Sequence, residues 1–178
     1  MIRLFAALHV PDDIGEGLLR RQHGLEGAAW RPLEALHITL KFAGELREDV
    51  ADDFDAELAT ISGEALTLEL AGVGHFGEGE DIHAVWAGVE ENAALRRLAK
   101  ACESAARRAG LPADTRVYRP HVTLAYLKRP VPDDVARWIQ ANNLLRSPPF
   151  RVTSFGLYSS HQTSEGSRYR LEREYPLI

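Results

Sequence analysis

The sequence predicts a mixed α and β protein, built as two similar lobes around a shared cleft. Two observations carry this. Strand-like and helix-like segments alternate along all 178 residues, and each half reads strand, helix, strand, helix, strand about a boundary near residue 78. A four-residue pattern also occurs once in each half: His-Ile-Thr-Leu from His37 and His-Val-Thr-Leu from His121, 84 residues apart. The repeat is one of architecture, since little else in the two halves matches.

Alternating residues from Ile2 to His9, stopped by Pro11, predict the first strand. Asp12–His23 is the first helix. Leu36–Phe42 is the next strand and carries the first His-x-Thr. Arg47–Ile61 is the second helix, with the acidic run REDVADDFDAE on its solvent face and N-terminal end. Ala65–Val73 and His83–Val89 follow as strands. The glycine-rich Gly72–Asp81 is a connection or hairpin between them; with no following helix and no Lys-Ser/Thr ending, it is not a phosphate loop. The third helix, Asn92–Ala109, has the clearest ends: a capping Asn92, then Gly110 and Pro112. His121–Leu127 is the strand of the second His-x-Thr. Pro132–Asn142 is the fourth helix, RSPPF a turn, and Phe150–Leu157 and Tyr169–Pro176 the closing strands.

Composition excludes several function classes. No apolar run approaches the ~20 residues of a membrane helix. The formal charge of −5 argues against a broad nucleic-acid-coating face, although a local cluster can still read one phosphate. A single cysteine makes no internal disulfide and points to the cytoplasm. Cys102 stands at helical spacing from Leu95, Leu98, Ala105 and Ala109 and reads as core packing. His9, His23, His75, His83 and His161 form no zinc-type spacing, so no metal is expected.

Side chains alternate along a strand, so His37 shares a face with Thr39, and His121 with Thr123. The intervening apolar residues face the core. Lys41 continues the first polar row, and Arg119 precedes the second. Each lobe thus offers an imidazole, a hydroxyl and a cation. In-line displacement at phosphorus needs a base on one side and an acid on the other. Two histidines, with an ordinary pKa of about 6.5, can supply both without metal. A lone His-x-Thr is more often a surface pair; two copies on two strands carry more weight. Trp30, Phe76, Tyr118 and Tyr126 can stack on a base, but packing at a lobe edge is the ordinary role of such rings.

These blocks resemble the 2H phosphoesterase superfamily, and within it the RNA 2′,3′-cyclic phosphodiesterases, also called 2′-5′ RNA ligase-like proteins. The resemblance rests on IRLFAAL, WRPLEALHITLKFAGEL, YRPHVTLAYL and FGLYSSHQTSEGSRYRLEREYPL, in that order. It implies an α+β, bilobal fold with two mainly antiparallel sheets, flanking helices, pseudo-two-fold symmetry and a central cleft. It implies hydrolysis of an RNA-terminal 2′,3′-cyclic phosphate to a 2′-phosphomonoester, without cofactor. His37 would be the proton donor and His121 the proton acceptor. Thr39 and Thr123 would bind the phosphate with Arg119. Relatives commonly carry arginine where this chain has Tyr126, which in a regular strand points away from His121 and reaches the cleft only if the strand bends. The expected partners are RNA ends or nucleotides bearing a cyclic phosphate, and the expected state is a monomer. The alternatives are a hydrolase or reversible ligase acting on 2′-5′ linkages or other cyclic phosphates, and a non-catalytic module that binds RNA ends.

Overall fold

The computed structural model describes residues 1–178. Ten strands and four helices follow one another. The strands are β1 (Ile2–His9), β2 (Ala29–Trp30), β3 (His37–Leu46), β4 (Leu66–Leu68), β5 (Leu70–Phe76), β6 (Ala84–Val89), β7 (His121–Tyr126), β8 (Phe150–Val152), β9 (Ser154–Thr163) and β10 (Gly166–Pro176). The helices are α1 (Asp12–Leu19), α2 (Glu48–Leu58), α3 (Ala93–Arg108) and α4 (Pro132–Asn142). No helix is long and apolar enough to cross a membrane.

All strand pairings are antiparallel. The large sheet has the order β10-β9-β1-β3-β7-β6-β5, with β2 on β7. Its middle is nearly a seam: β3 and β7 share one ladder pair, Ile38 with Val122. On either side lie two half-sheets of matching order, β9-β1-β3 and β5-β6-β7. Each half of the chain sends a late strand into the other lobe, because β5 joins β6 and β9 joins β1.

Two expected strands are each split in two. Ala65–Val73 breaks at Glu69, and Phe150–Leu157 breaks at Thr153. The short pieces before the breaks, β4 and β8, pair with each other as a second, two-stranded sheet. The residues after the breaks continue into the large sheet. Alternation cannot reveal such a switch, since Leu66, Leu68 and Leu70 are all buried.

Helix α3 is held as its sequence implies. The Asn92 side chain accepts from the Leu95 N–H at 2.9 Å, satisfying one unpaired donor of the first turn. Its inward stripe, Leu95, Leu98, Ala99, Cys102, Ala105 and Ala106, is buried against β3 and α2. Each large apolar side chain so buried stabilises by about 1.5–3 kcal/mol. The β5–β6 turn needs glycine at position 77. There φ is +88°, and a Cβ would lie 2.1 Å from the Asp81 carbonyl oxygen.

Candidate active site

The seam pair sets the geometry of the site. Ile38 and Val122 are fully buried and adjacent, so the residues flanking them, His37 and Thr39 with His121 and Thr123, emerge side by side on the opposite face. All four line one cavity of about 270 Å³. Its walls also carry Phe5, Phe42, Tyr126 and Tyr169, the hydroxyl-bearing Ser160 and Ser167, and two arginines, Arg3 and Arg31. A larger cavity of about 610 Å³ lies between α2, α3 and the chain end. It is mostly apolar and contains none of the expected site residues, so the smaller cavity is the candidate site.

Both motif strands depart from regular alternation at the same place. Ala6 and Ala7 are consecutive, yet they pair with Lys41 and Thr39, leaving Leu40 over. Val85 and Trp86 are consecutive, yet they pair with Ala125 and Thr123, leaving Leu124 over. Each motif therefore contains a β-bulge at its leucine. Two successive side chains turn inward, Leu40 with Lys41 and Leu124 with Ala125. The fifth residue after each histidine, Phe42 or Tyr126, then turns out and lines the cleft.

The bulges correct one expectation and decide another that alternation left open. Lys41 does not continue the polar row. It is buried on the far side, 2.8 Å from the Glu103 carboxylate of α3. Tyr126 does reach the cleft, because the bulge at Leu124 reverses its face. A third expectation fails for another reason: the Arg119 side chain is exposed and outside the cavity lining. What Arg119 contributes is its carbonyl oxygen, which lies 2.6 Å from His121 Nδ1. That contact fixes the Nδ1–H tautomer of the neutral ring and leaves Nε2 as acceptor.

Each histidine sits among aromatic rings. His37 is 4.7 Å from the Tyr158 ring centre, 5.4 Å from Tyr169 and 5.8 Å from Phe5. His121 meets Phe76 edge-on at 4.8 Å. Burial disfavours the charged imidazole and pushes His37 down to about 4. The Ala35 carbonyl, two residues before it, opposes this, although Nδ1 has no hydrogen bond of ordinary geometry. The charges of His9 and Arg31 lower it further. His121 is also lowered by burial, against the pull of the Arg119 carbonyl. Burial thus favours the neutral form of both imidazoles.

Sequence reasoning missed Arg3, Arg31, Phe5, Ser160, Ser167 and Tyr169. Phe5 and Tyr169 lie in blocks that carry the family resemblance, but no pattern marks their faces. Arg31 precedes Pro32 in an irregular stretch, and only the pairing of β2 with β7 brings it to the cleft.

Comparison with known proteins agrees with this architecture. The RNA 2′,3′-cyclic phosphodiesterase of Archaeoglobus fulgidus is 29% identical over 174 residues, covering 95% of this chain and 97% of that one. The Escherichia coli protein of the same description is 29% identical over 177 residues, covering 94% and 92%. The crystal structure of E. coli LigT complexed with 3′-AMP matches with a TM-score of 0.81 at 26% identity, covering 99% of this chain and 98% of that one. The family model of the 2′-5′ RNA ligase superfamily matches residues 10–164, and with its paired His-x-Thr strands this chain belongs to that superfamily.

Proposed function

We propose that this chain is an RNA 2′,3′-cyclic phosphodiesterase, with His37 and His121 as its acid–base pair. The observation that carries the reading is the meeting of both His-x-Thr motifs in one cavity, across the Ile38–Val122 seam. His121 Nε2 takes a proton from water as the water oxygen attacks phosphorus. The bond from phosphorus to the 3′ oxygen breaks, and His37 Nε2 gives that oxygen a proton. The product is a 2′-phosphomonoester with a free 3′ hydroxyl. Thr39 and Thr123 donate hydroxyl hydrogens to the non-bridging oxygens. The names of the relatives support this substrate class.

His37 must be charged to act as the acid, and its burial opposes that charge. The substrate phosphate resolves this. An anion within a few ångströms favours the imidazolium and raises its pKa. Binding and protonation are then coupled, and the acid is armed only when substrate is present. No group of three or more His, Cys, Asp or Glu side chains is arranged to hold a metal. That supports a mechanism run by the protein's own acid and base.

We read residues 1–178 as one domain of two interleaved lobes, with the repeat boundary near residue 78 in the β5–β6 hairpin. The one cysteine is buried, with its thiol pushed up to about 12. That fits an unreactive core residue in a cytoplasmic protein.

The test is direct. The chain is incubated with 2′,3′-cyclic nucleotides and with RNA ending in a cyclic phosphate, and products are identified by phosphorus NMR. His37→Ala and His121→Ala should each lower the rate by on the order of 10²–10⁴-fold or more. The wild-type rate should be bell-shaped in pH, because one ring must be charged and the other neutral. Folded variants that turn over substrate at the wild-type rate would end this reading. Binding of RNA ends without turnover would favour a non-catalytic module.

A further inference from the structure

The cleft faces an anionic substrate, yet neither cation expected from the sequence lines it. The cavity walls include Arg3 and Arg31 and no aspartate or glutamate. Elsewhere arginines are commonly matched to carboxylates: Arg96 with Glu91, Arg108 with Glu57, Arg146 with Glu90, Arg173 with Asp55. Arg31 has a different setting. Its guanidinium carbon lies 5.6 Å from the ring centre of Tyr126 and 5.4 Å from that of Tyr169. Its Nη2 donates to the Ser167 carbonyl at 3.2 Å. A guanidinium has five N–H donors, so this leaves most of them for a ligand.

The backbone of Arg31 is fixed on both sides. Its N–H donates to the carbonyl of the bulged Leu124 at 2.8 Å, and its carbonyl accepts from Gln22 Nε2 at 2.9 Å. Ala29 and Trp30 pair with Tyr126 and Ala125, so Arg31 follows directly from the strand beside the second motif. The same bulge that turns Tyr126 into the cleft also supplies the carbonyl that anchors Arg31.

We propose that Arg31, held between the rings of Tyr126 and Tyr169, is the phosphate-binding cation of this cleft. The proposal rests on the reading of the site as a phosphodiesterase. Contact with two aromatic rings holds the guanidinium without neutralising it and without spending its N–H donors. The free edge can give two parallel hydrogen bonds to two phosphate oxygens, a match a lysine cannot make. The charge also reaches the acid of the reaction, since Arg31 is among the groups that act on His37. Arg3 has no such link. It lies over the ring of Phe42, 5.7 Å from its centre. Tyr126 then serves as a platform for the cation and not for a base. An arginine placed at position 126 would enter the same space, which makes a rescue experiment available.

The experiment uses the full chain, a 2′,3′-cyclic nucleotide as substrate and inorganic phosphate as competitor. Arg31→Met keeps length and apolar contact with the rings but removes charge and donors. It should lower kcat/KM by on the order of 10²-fold, the usual cost of losing one preorganised donor. It should weaken phosphate inhibition by about tenfold or more. The double variant Arg31→Met/Tyr126→Arg should recover about tenfold or more of the lost kcat/KM. A single variant within about threefold of wild type in both kcat/KM and phosphate inhibition overturns the proposal. A second measurement does not depend on any variant folding. In the wild-type chain, the Arg31 Nε–H resonance should shift on titration with inorganic phosphate; one unmoved at saturation overturns the assignment. Failure of the functional reading is separable from this: a wild type inert on every cyclic phosphate ends the reading, while the phosphate titration still decides whether Arg31 holds an anion.

Discussion

Tyr118 donates its hydroxyl hydrogen to the main-chain carbonyl of Thr39 at 2.7 Å, joining the loop before one motif to the strand of the other. The bond crosses the seam between the half-sheets, where Ile38 and Val122 form the one ladder pair. Burial raises the pKa of the Tyr118 phenol, so it stays a donor. Its own carbonyl is held by Arg96 Nη1 at 2.9 Å. The strap therefore ties α3, the approach to His121 and the backbone beside His37 into one unit.

Tyr118→Phe keeps the ring and removes the strap. Stability should fall by about 1–2 kcal/mol, because the Thr39 carbonyl loses its partner. The distance between acid and base also loosens, and the chemical step depends on that distance. We expect kcat to fall by about three- to tenfold with KM little changed. Urea midpoints and steady-state kinetics check this together. A lowered midpoint with wild-type kcat would confine Tyr118 to stability.

Lys41 gives the opposite expectation. Its ammonium is buried against Glu103, whose carboxylate also accepts from the Asp114 N–H at 2.7 Å and lies 3.6 Å from Arg107. Lys41→Met strands a partly buried carboxylate, but two other groups still serve it. The cost should be about 1–3 kcal/mol, below the 3–5 of a fully broken buried pair. KM for a cyclic nucleotide should not move, since the side chain lies on the far face of β3. A raised KM with an unchanged thermal midpoint would return Lys41 to the cleft.

These two residues show what the sequence could and could not disclose. The strands and helices were readable from alternation, capping and turn residues, and the two His-x-Thr motifs pointed to the cavity that their residues line. The bulges were not readable. Leu124-Ala125 before an exposed Tyr126 is a faint trace of one, since two apolar residues in a row break strict alternation. Leu40-Lys41 hides the other, because a buried lysine looks polar until its partner, 62 positions on, is known. Arg31 reaches the cleft only through pairing with a strand some ninety residues away, and local patterning carries no record of that. The exchange of β5 and β9 between lobes was hidden for the same reason.

Removal of divalent ions should leave the rate intact. The cavity offers histidines, hydroxyls and arginines, and no carboxylate. Dialysis against EDTA should retain the wild-type rate to within roughly twofold, and added magnesium or zinc should not raise it. An apo protein that is inactive and is revived by one divalent ion would require another mechanism.

The most demanding prediction concerns acid. His37 takes up a proton in the folded state only at about 4, against an ordinary value of 6.5 in the unfolded chain, and burial is the main cause. Between these values the unfolded state binds more protons than the folded one, so stability rises with pH across this window. The contribution is fully present above about 6.5 and is lost as pH falls toward 4. A shift of this size corresponds to on the order of 3 kcal/mol. His121, lowered by burial as well, adds loss in the same direction. His37→Gln removes the titration and keeps a polar side chain, so its stability should depend less steeply on pH. Urea midpoints of both proteins from pH 7 to pH 4 test this. Parallel curves would show that His37 is not held neutral by the fold. Phosphate should reverse the effect, because a bound anion stabilises the charged ring. Binding of inorganic phosphate at pH 6 should then draw protons from buffer, by an amount that calorimetry in buffers of different ionisation enthalpy can read. The uptake should shrink in His37→Gln. Equal uptake in both proteins would place the coupled proton on another group and remove the basis for substrate-armed acid catalysis by His37.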